Sequence, residues 1–330
     1  MTSGLPFDDF RALIRNLPGP GEGAAEAVSA VFAKAERRAG GLGVAAETAR
    51  WLAAWSGRAP AVNRPLVALF AANHGVAAHG VSPRPVSDTA AAVELCAAGG
   101  SPVNAVCLAH DLGLKAFDLA LDHPTGDITR EPALDERGCA ATMAFGMEAV
   151  AGGSDLVALG DIGVGNSTVA AALLASLFGG QGRDWVGPGS GADAAMIGRK
   201  AGAVDVALEL HGDHLSDPLE ALRRVGGREF SAIAGAILAA RTERIPVILD
   251  GFAATAAAAV LFKARRDAID HCLFAHVSPE PGHRRALDAM GRKPLFDLGM
   301  AHGEGVGAAL AAGFARASAL VHAGLAAAAR

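Results

Sequence analysis

A single carboxylate stands among glycines near the carboxyl-terminal part of the sequence. Residues 300–310 read Met-Ala-His-Gly-Glu-Gly-Val-Gly-Ala-Ala-Leu, so Glu304 has a glycine on each side. Glycine lacks the Cβ atom that keeps a ligand away from the backbone, and it permits backbone angles that other residues avoid. One interpretation is a catalytic carboxylate on a bare loop that faces a substrate. The other is a glutamate in the first turn of the Ala-rich helix that follows, at the favourable end of the helix dipole.

A second glycine-containing loop, Gly-Asp-Ile-Gly-Val-Gly-Asn-Ser-Thr at residues 160–168, follows an apolar run. Free N–H groups at the start of a helix bind anions, and glycines let a phosphate approach them. Thr168 stands where a dinucleotide fingerprint needs its third glycine, and no Walker A motif is present. A further glycine loop at 187–191 precedes Lys200, which could supply a cation to the same phosphate. These features favour a monophosphate site; a purely structural glycine turn is the alternative.

Short apolar runs alternate with Ala-rich helical stretches, and each run ends in polar residues. The runs are 66–70, 116–121, 156–159, 247–249 and 272–275. This composition is typical of strands buried on both faces, and the alternation predicts βαβ units in a parallel sheet. Ligands of such sheets bind beyond the carboxyl ends of the strands, where Asp250 and His276 fall. Each of these side chains either contacts a substrate or caps neighbouring backbone.

Composition indicates a globular protein of enzyme size. The chain has 330 residues, 51% of them apolar and 19% charged, and a net charge of −5. Arginines occur in pairs rather than runs, which argues against a nucleic-acid binder. Four cysteines without CxxC spacing do not form a disulfide framework and predict a cytoplasmic protein. The acidic amino terminus is no signal peptide, and no stretch is typical of a membrane span.

Two histidines at 211 and 214, with Asp213 between them, have a spacing that could suit a metal. Two ligands three residues apart, without a further cluster, are more typical of a surface helix end. We therefore predict no metal and no cofactor.

Several motifs occur in an order that is similar to one known family. They read Asn-His-Gly-Val at 73–76 with Gly-Val-Ser at 80–82, Asp-Ile-Gly-Val-Gly-Asn-Ser-Thr at 161–168, Asp-Gly-Phe at 250–252 with Ala-Thr-Ala-Ala at 254–257, His-Val-Ser-Pro-Glu-Pro-Gly-His at 276–283, Pro-Leu-Phe-Asp-Leu-Gly-Met at 294–300, and Gly-Glu-Gly-Val-Gly-Ala at 303–308. Together they resemble the nicotinate-nucleotide:dimethylbenzimidazole phosphoribosyltransferases of cobalamin biosynthesis, the CobT family. The resemblance covers residues 36–325.

The resemblance implies an enzyme that moves the phosphoribosyl group of nicotinate mononucleotide to a benzimidazole-type base, giving α-ribazole 5′-phosphate and nicotinate. By analogy Glu304 is the general base, and Asp161, the second predicted catalytic residue, lies near the nucleotide and the acceptor. The expected phosphate or ribose contacts are Gly163, Gly165, Lys200 and Ser278, and the expected acceptor pocket contains Ser82, Ile162 and His302. We add Asp250 as a predicted substrate-binding residue, because it ends a strand at the same edge. The resemblance also implies a homodimer.

The sequence departs from the family pattern at informative places. Asp161 stands where a glutamate is usual, so its carboxylate reaches less far. His302 puts a polar ring where an apolar wall would hold a dimethylated arene. These departures leave one alternative open, a divergent paralogue with altered acceptor specificity or little turnover. A second alternative is an NAD-dependent oxidoreductase on a similar sheet, which the incomplete fingerprint and the missing ribose-binding acid disfavour.

Sequence and resemblance together predict an α/β fold with a doubly wound, mostly parallel, Rossmann-like sheet. We place a large α/β domain at residues 62–285. Residues 1–61 and 286–330 are expected to form a small helical domain from the two terminal segments. Within residues 24–55 we predict two helices, broken by the glycines at 40–43.

Overall fold

Six parallel strands form one sheet in the order β2-β1-β3-β4-β5-β6. The structure is a computed structural model that describes residues 5–328, apart from the side chains at positions 38 and 39. The strands are β1 Pro65–Ala71, β2 Gly113–Asp118, β3 Leu156–Ile162, β4 Val247–Leu249, β5 Cys272–His276 and β6 Pro294–Phe296. The order reverses between β1 and β3, which opens a crevice at the carboxyl ends of these two strands. The predicted doubly wound parallel sheet is confirmed.

Helices cover both faces of the sheet. Their bounds are α1 Pro6–Arg15, α2 Glu22–Ala39, α3 Val44–Ser56, α4 Ser87–Ala97, α5 Pro102–His110, α6 Glu136–Val150, α7 Asn166–Phe178, α8 Ala194–His211, α9 Pro218–Val225, α10 Arg228–Thr242, α11 Phe252–Ala264, α12 Pro281–Met290 and α13 Val306–Ala328. Helices α1 and α6 to α12 contribute to one apolar layer, and α3, α4, α5 and α13 contribute to the other. The two helices predicted within residues 24–55 are confirmed as α2 and α3.

Strand β1 shows why the sheet needs both layers. Successive side chains of a strand point to opposite faces. Leu66, Ala68 and Phe70 accordingly lie in the core formed with α6 and α10, whereas Val67 and Leu69 lie in the core formed with α13. A strand buried on both faces has no polar position to spare, which explains its continuous apolar run.

The edge strands differ from the prediction. Strand β2 begins at Gly113 and ends at Asp118, three residues before the predicted run ends, and most of it is at least partly exposed. Leu119 and Leu121 are buried, but they lie in the loop that follows the strand. Their apolar side chains therefore pack from a loop and do not indicate a strand. Strand β6 was not predicted, because three residues that begin with proline give little periodicity.

The terminal segments join the sheet closely. Strand β6 pairs with β5 and lies beyond residue 285, and α13 packs against the strands. Helix α1 was not predicted, and it buries Phe7, Phe10 and Ile14 in the opposite layer. The division into domains at 62 and 285 stays a prediction.

Two glycines let α6 and α10 meet at backbone distance. A Cβ atom on Gly146 would lie 1.9 Å from the carbonyl oxygen of Ala232, and one on Gly235 would lie 1.9 Å from that of Met143. Both distances are far below any real contact. The close packing of α6 against α10 therefore requires glycine, which has only a hydrogen atom as its side chain, at both positions.

Two stretches are long and apolar enough to cross a membrane by length and composition alone, Ser87–His110 and Val306–Ala328. The first comprises α4 and α5, which a turn near residues 98–101 separates. The second is α13, and much of it is buried against the strands. A core helix of this kind meets the same criteria as a membrane span.

Candidate active site

One cleft lies at the carboxyl edge of the sheet, where the loops that follow β1, β3, β4 and β5 meet. All of the predicted site residues line it: Ser82, Asp161, Ile162, Gly163, Gly165, Lys200, Asp250, Ser278, His302 and Glu304. Residues that are more than two hundred positions apart in the chain thus share one surface. The structure brings the predicted set together, and the role of each residue stays a prediction.

Lys200 lies under the glycine loop at 187–191 and is 1% exposed. Its ammonium donates to the carbonyl oxygen of Gly187 at 2.6 Å and to Ser167 Oγ at 3.1 Å. An ammonium has three N–H donors, so one is left for a further acceptor. Burial lowers the pKa of Lys200, and the nearby Glu280 carboxylate opposes that shift. A phosphate at this position would accept a charge-assisted hydrogen bond.

Glu280 completes this group, which we call the lysine cluster: Ser167, Gly187, Gly189, Lys200 and Glu280. The Glu280 carboxylate is buried, and its Oε1 accepts from the amide of Gly189. Gly189 has φ +53°, and a Cβ there would lie 3.1 Å from Ser167 Oγ and 3.4 Å from Lys200 Nζ. Only glycine lets the loop pass this close over the ammonium. Sequence reasoning missed Glu280, which lies between two prolines and gave no separate signal.

The start of α7 also faces the cleft. Gly165 precedes this helix with φ +87°, and the amide of Val164 donates to Thr89 Oγ1 at 3.1 Å. The hydroxyl on α4 thus fixes the glycine loop from the other side of the cleft. A helix amino terminus presents N–H groups and a partial positive charge, which suit an anion.

Glu304 lies outside α13, in the loop before it. Its φ is +57°, a left-handed value that is uncommon for a residue with a side chain. Gly305 follows with φ +78°, and a Cβ on Gly160 would lie 2.9 Å from the Gly305 Cα atom. Glu304 therefore lies on a loop and not in the first turn of the helix, and its catalytic role stays a prediction. Strained backbone of this kind clusters at functional sites.

Asp250 holds this loop from below. Its Oδ2 accepts from the amide of Gly305 at 3.0 Å, and its Oδ1 accepts from the amide of Ala308 at 2.8 Å. The carboxylate is 1% exposed, so both bonds are shielded from water. Asp250 thus caps backbone and also lines the cleft, and its predicted substrate contact stays a prediction. His276 lies beside it, with Nε2 at 3.9 Å from Oδ1 and neither ring nitrogen hydrogen-bonded.

The Glu304 carboxylate itself makes only long contacts. Ser101 Oγ is 3.5 Å from Oε2, and His302 Nε2 is 3.7 Å from the same oxygen. The Glu304 side chain is 23% exposed and that of His302 is 46% exposed. We call residues 301–308 the glutamate loop. Sequence reasoning missed Ser101, because a serine before a proline at a helix start is fully explained as the cap of α5.

Asp161 lies among other acids. Burial raises its pKa well above the usual value, and the neighbouring carboxylates of Asp250, Glu229 and Glu304 add to the shift. The amide of Asn166 opposes the shift through a hydrogen bond of 2.5 Å to Oδ2. The carboxyl of Asp161 is therefore protonated more readily than an exposed aspartate, and a protonated carboxyl can donate a hydrogen bond.

The remaining predicted acceptor residues lie on different elements. Ser82 follows β1 and accepts from the amide of Arg84 at 3.2 Å. Ile162 ends β3 and is 3% exposed. Arg84 and Asp88 also line this part of the cleft, and sequence reasoning did not single them out.

Among residues 5–328, no group of three or more metal-ligating side chains is close enough to hold an ion. His211 ends α8, as predicted, yet it is buried rather than at the surface. Its Nε2 lies 2.9 Å from the carbonyl oxygen of Ile128. Burial is the main cause that lowers its pKa.

Comparison with known proteins identifies the family. The family described as Phosphoribosyltransferase, DBI_PRT, matches residues 17–330. A nicotinate-nucleotide:dimethylbenzimidazole phosphoribosyltransferase from Brucella anthropi is 62% identical over 325 residues, which cover 98% of this chain and 96% of the relative. A relative of the same name from Sinorhizobium medicae is 61% identical over 324 residues, with 98% and 96% covered.

Solved structures agree with these sequences. The crystal structure of CobT from Thermus thermophilus is 37% identical and superposes with a TM-score of 0.81, over 89% of this chain and 96% of that one. A second crystal structure from the same organism gives 36% identity and a TM-score of 0.79, over 89% and 95% of the two chains. Sequence and fold agree with these relatives over nearly the whole chain, which therefore belongs to the nicotinate-nucleotide:dimethylbenzimidazole phosphoribosyltransferase family.

Proposed function

We propose that the protein transfers the 5-phosphoribosyl group of nicotinate mononucleotide to 5,6-dimethylbenzimidazole or a related base. The observation that carries this proposal is the juxtaposition of a buried lysine cluster and a strained glutamate loop in one cleft. The first suits the phosphate of the donor, and the second suits the proton of the acceptor. The 62% identity to a named transferase favours this activity over the non-catalytic paralogue.

Binding of the donor would use Lys200, the start of α7 and Ser278. The free N–H of Lys200 and the helix terminus neutralise the phosphate, which fixes one end of the nucleotide. Holding the donor and acceptor in line converts an encounter of two molecules into a reaction within one complex. The cleft at the switch point between β1 and β3 is where such sheets place their ligands.

The transfer itself breaks the bond between C1′ and the pyridinium nitrogen. The bonding electrons pass to that nitrogen, so nicotinate leaves without a protonation step. A lone pair on one acceptor nitrogen forms the new bond to C1′ from the opposite face, which inverts the anomeric centre. The proton on the other acceptor nitrogen passes to the carboxylate of Glu304, which acts as general base.

Asp161 would serve this step as a neutral acid. Its raised pKa favours the protonated form, which adds no second negative charge beside Glu304 and can donate a hydrogen bond to the nucleotide. Its carboxyl is held by the amide of Asn166 at 2.5 Å, on the first residue of α7. The shorter side chain is thus tied to the same helix start that faces the phosphate.

We further propose a homodimer in the cytoplasm. Helices α4 and α5 leave apolar side chains uncovered, with Leu95 51% exposed and Leu108 86% exposed. Apolar patches of this kind are typical of protein interfaces. All four cysteines are free thiols, which fits a reducing compartment. Light scattering after size-exclusion chromatography tests the dimer, and Leu108→Lys is expected to shift it toward a monomer.

Nicotinate release from nicotinate mononucleotide tests the activity. Purified protein is assayed with dimethylbenzimidazole, benzimidazole, adenine and a phenol, alongside Glu304→Gln and the exposed control Glu243→Gln. We expect release that requires an acceptor, collapses in Glu304→Gln and persists in Glu243→Gln. Binding of the mononucleotide without release for any acceptor would contradict the proposal.

A further inference from the structure

Ser278 is tied to two buried side chains behind the cleft. Its amide nitrogen lies 3.0 Å from His283 Nδ1, and its Oγ lies 3.0 Å from the same atom. His283 is in the first turn of α12 and is 0% exposed. Its Nε2 lies 3.0 Å from Thr255 Oγ1 on α11, which is 1% exposed. A cleft serine, an imidazole and a hydroxyl thus form one chain of hydrogen bonds.

The backbone determines which way these bonds run. An amide N–H only donates, so His283 Nδ1 must carry a lone pair. The neutral ring then has its proton on Nε2, where it donates to Thr255 Oγ1. Burial lowers the pKa of His283 to about 3, and nearby His276 and Arg284 add to the shift, so the ring is neutral at physiological pH.

This tautomer limits what Ser278 does. Nδ1 has no hydrogen, so the Ser278 hydroxyl can only donate to it and cannot accept from it. When an acceptor enters the cleft, the hydroxyl hydrogen can rotate toward it. Nδ1 keeps its bond from the Ser278 amide, so no buried group is left without a partner.

The same segment leads directly to the lysine cluster. Two residues after Ser278, Glu280 accepts from the amide of Gly189, which passes over Lys200. The segment 278–280 thus connects the hydroxyl to the lysine cluster, and Ser278 and Lys200 both line the cleft. A donor hydroxyl and a lysine that line one cleft suit a phosphate, whose oxygens only accept when it is fully ionised.

We propose that His283 is a positioning residue: its Nδ1 holds the backbone amide of Ser278, so that the Ser278 hydroxyl is placed to donate to the phosphate monoester of the nucleotide substrate. The inference rests on the proposed function, which supplies that phosphate. His283 touches no substrate and acts only through Ser278.

Five variants test it: Ser278→Ala, His283→Asn, His283→Gln, His283→Leu and the double variant Ser278→Ala/His283→Leu. Asparagine places an oxygen near the Nδ1 position and keeps the acceptor, whereas glutamine extends toward the Nε2 position and leaves the Ser278 amide unpaired. Each is assayed with nicotinate mononucleotide and with nicotinate riboside, which lacks the phosphate. The readouts are kcat and KM for the first substrate and kcat/KM for the second.

We expect His283→Leu and His283→Gln to raise KM for the mononucleotide about tenfold with kcat nearly unchanged, the size of one charge-assisted hydrogen bond. His283→Asn should stay within about threefold of the wild type, since the acceptor remains. Reaction of the riboside should change little in any variant. The double variant should be no worse than Ser278→Ala, because both changes remove one interaction.

Equal losses for mononucleotide and riboside would overturn the inference and leave His283 a structural residue. Additive effects in the double variant would do the same, as would equal behaviour of His283→Asn and His283→Gln. If His283→Leu does not fold, this asparagine and glutamine pair decides. Absence of nicotinate release by the wild type would instead contradict the proposed function, so the two failures are distinguishable.

Discussion

The lysine cluster and the glutamate loop share a cleft and are built in opposite ways. In the cluster, Lys200 is 1% exposed and its bonds of 2.6 and 3.1 Å run to groups of the protein itself. In the loop, the Glu304 side chain is 23% exposed, and its neighbours stand 3.5 and 3.7 Å away. The cluster has the rigid, preformed geometry expected of a binding site for a group that stays bound throughout, as we propose for the phosphate. The loop leaves its carboxylate with only long contacts, which suits the proposed transfer of a proton.

The largest effect should come from the loop. Glu304→Gln removes the proton acceptor and leaves the cluster intact, so kcat should fall by roughly 10²- to 10⁴-fold while KM for the mononucleotide changes little. Steady-state nicotinate release measures both. If kcat falls by less than tenfold, another group takes the proton. The contrast between the glutamate loop and the lysine cluster would then be wrong.

The cluster should show the reverse pattern. Lys200→Met removes the buried charge and one phosphate contact, so KM for the mononucleotide should rise by roughly 10- to 100-fold with a smaller change in kcat. The exposed Lys115→Met on the edge strand is the matched control and should behave as wild type. A loss confined to kcat would show that Lys200 does not hold the donor.

Asp250 tests whether the loop depends on its support. In Asp250→Asn one oxygen becomes an amide that faces a backbone N–H, so one of the bonds to Gly305 and Ala308 is lost. We expect kcat to fall about tenfold without a change in KM. Asp135→Asn, at the cap of α6, is the control, because asparagine caps a helix as well as aspartate. A rise in KM instead would favour the substrate contact predicted from the sequence.

The smallest effect concerns stability. The folded-state pKa of Asp161 is raised above its unfolded value, so the wild type loses stability as pH rises through that folded pKa. Asp161→Asn has no such loss. Its Tm should therefore exceed that of the wild type by about 2 °C or more at neutral pH, and the difference should vanish below the unfolded pKa. Thermal unfolding from pH 3 to pH 8 measures it. A difference that is independent of pH would show that the ionisation of the buried Asp161 carboxyl is not its cause.

The sequence predicted those parts whose signals are local. Glycines on both sides of Glu304 and the apolar run of β1 each carry their meaning within a few residues. The buried strand is confirmed and Glu304 lies on a loop, whereas its catalytic role stays a prediction. The acids around Asp161, by contrast, come from separate parts of the chain: Asp250 follows β4, Glu229 is on α10 and Glu304 is on the glutamate loop. The bonds of Asp250 to the glutamate loop join residues 55 and 58 positions apart, and Ser101 meets Glu304 across 203 positions. No local pattern encodes such contacts.

Edge strands were predicted poorly for a related reason. The residues of β2 are only half covered, so they lack a continuous apolar run, and the buried leucines of the next loop attracted the prediction instead. Strand β6 has a single hydrogen-bonded neighbour and three residues. Such strands are defined by their partners more than by their own side chains.

The backbone contact between α6 and α10 also sets limits for anyone who wishes to redesign this enzyme. Replacing helical glycines by alanine is a common route to heat resistance, and it gains about 0.4 to 1 kcal/mol at each compatible site. Gly198 and Gly202 on α8 have open space around them and are suitable sites. Gly146 and Gly235 look equivalent in the sequence, yet each would drive a methyl group into a carbonyl oxygen. A mutant library that replaces every helical glycine would therefore stabilise α8 but disrupt the packing of α6 against α10.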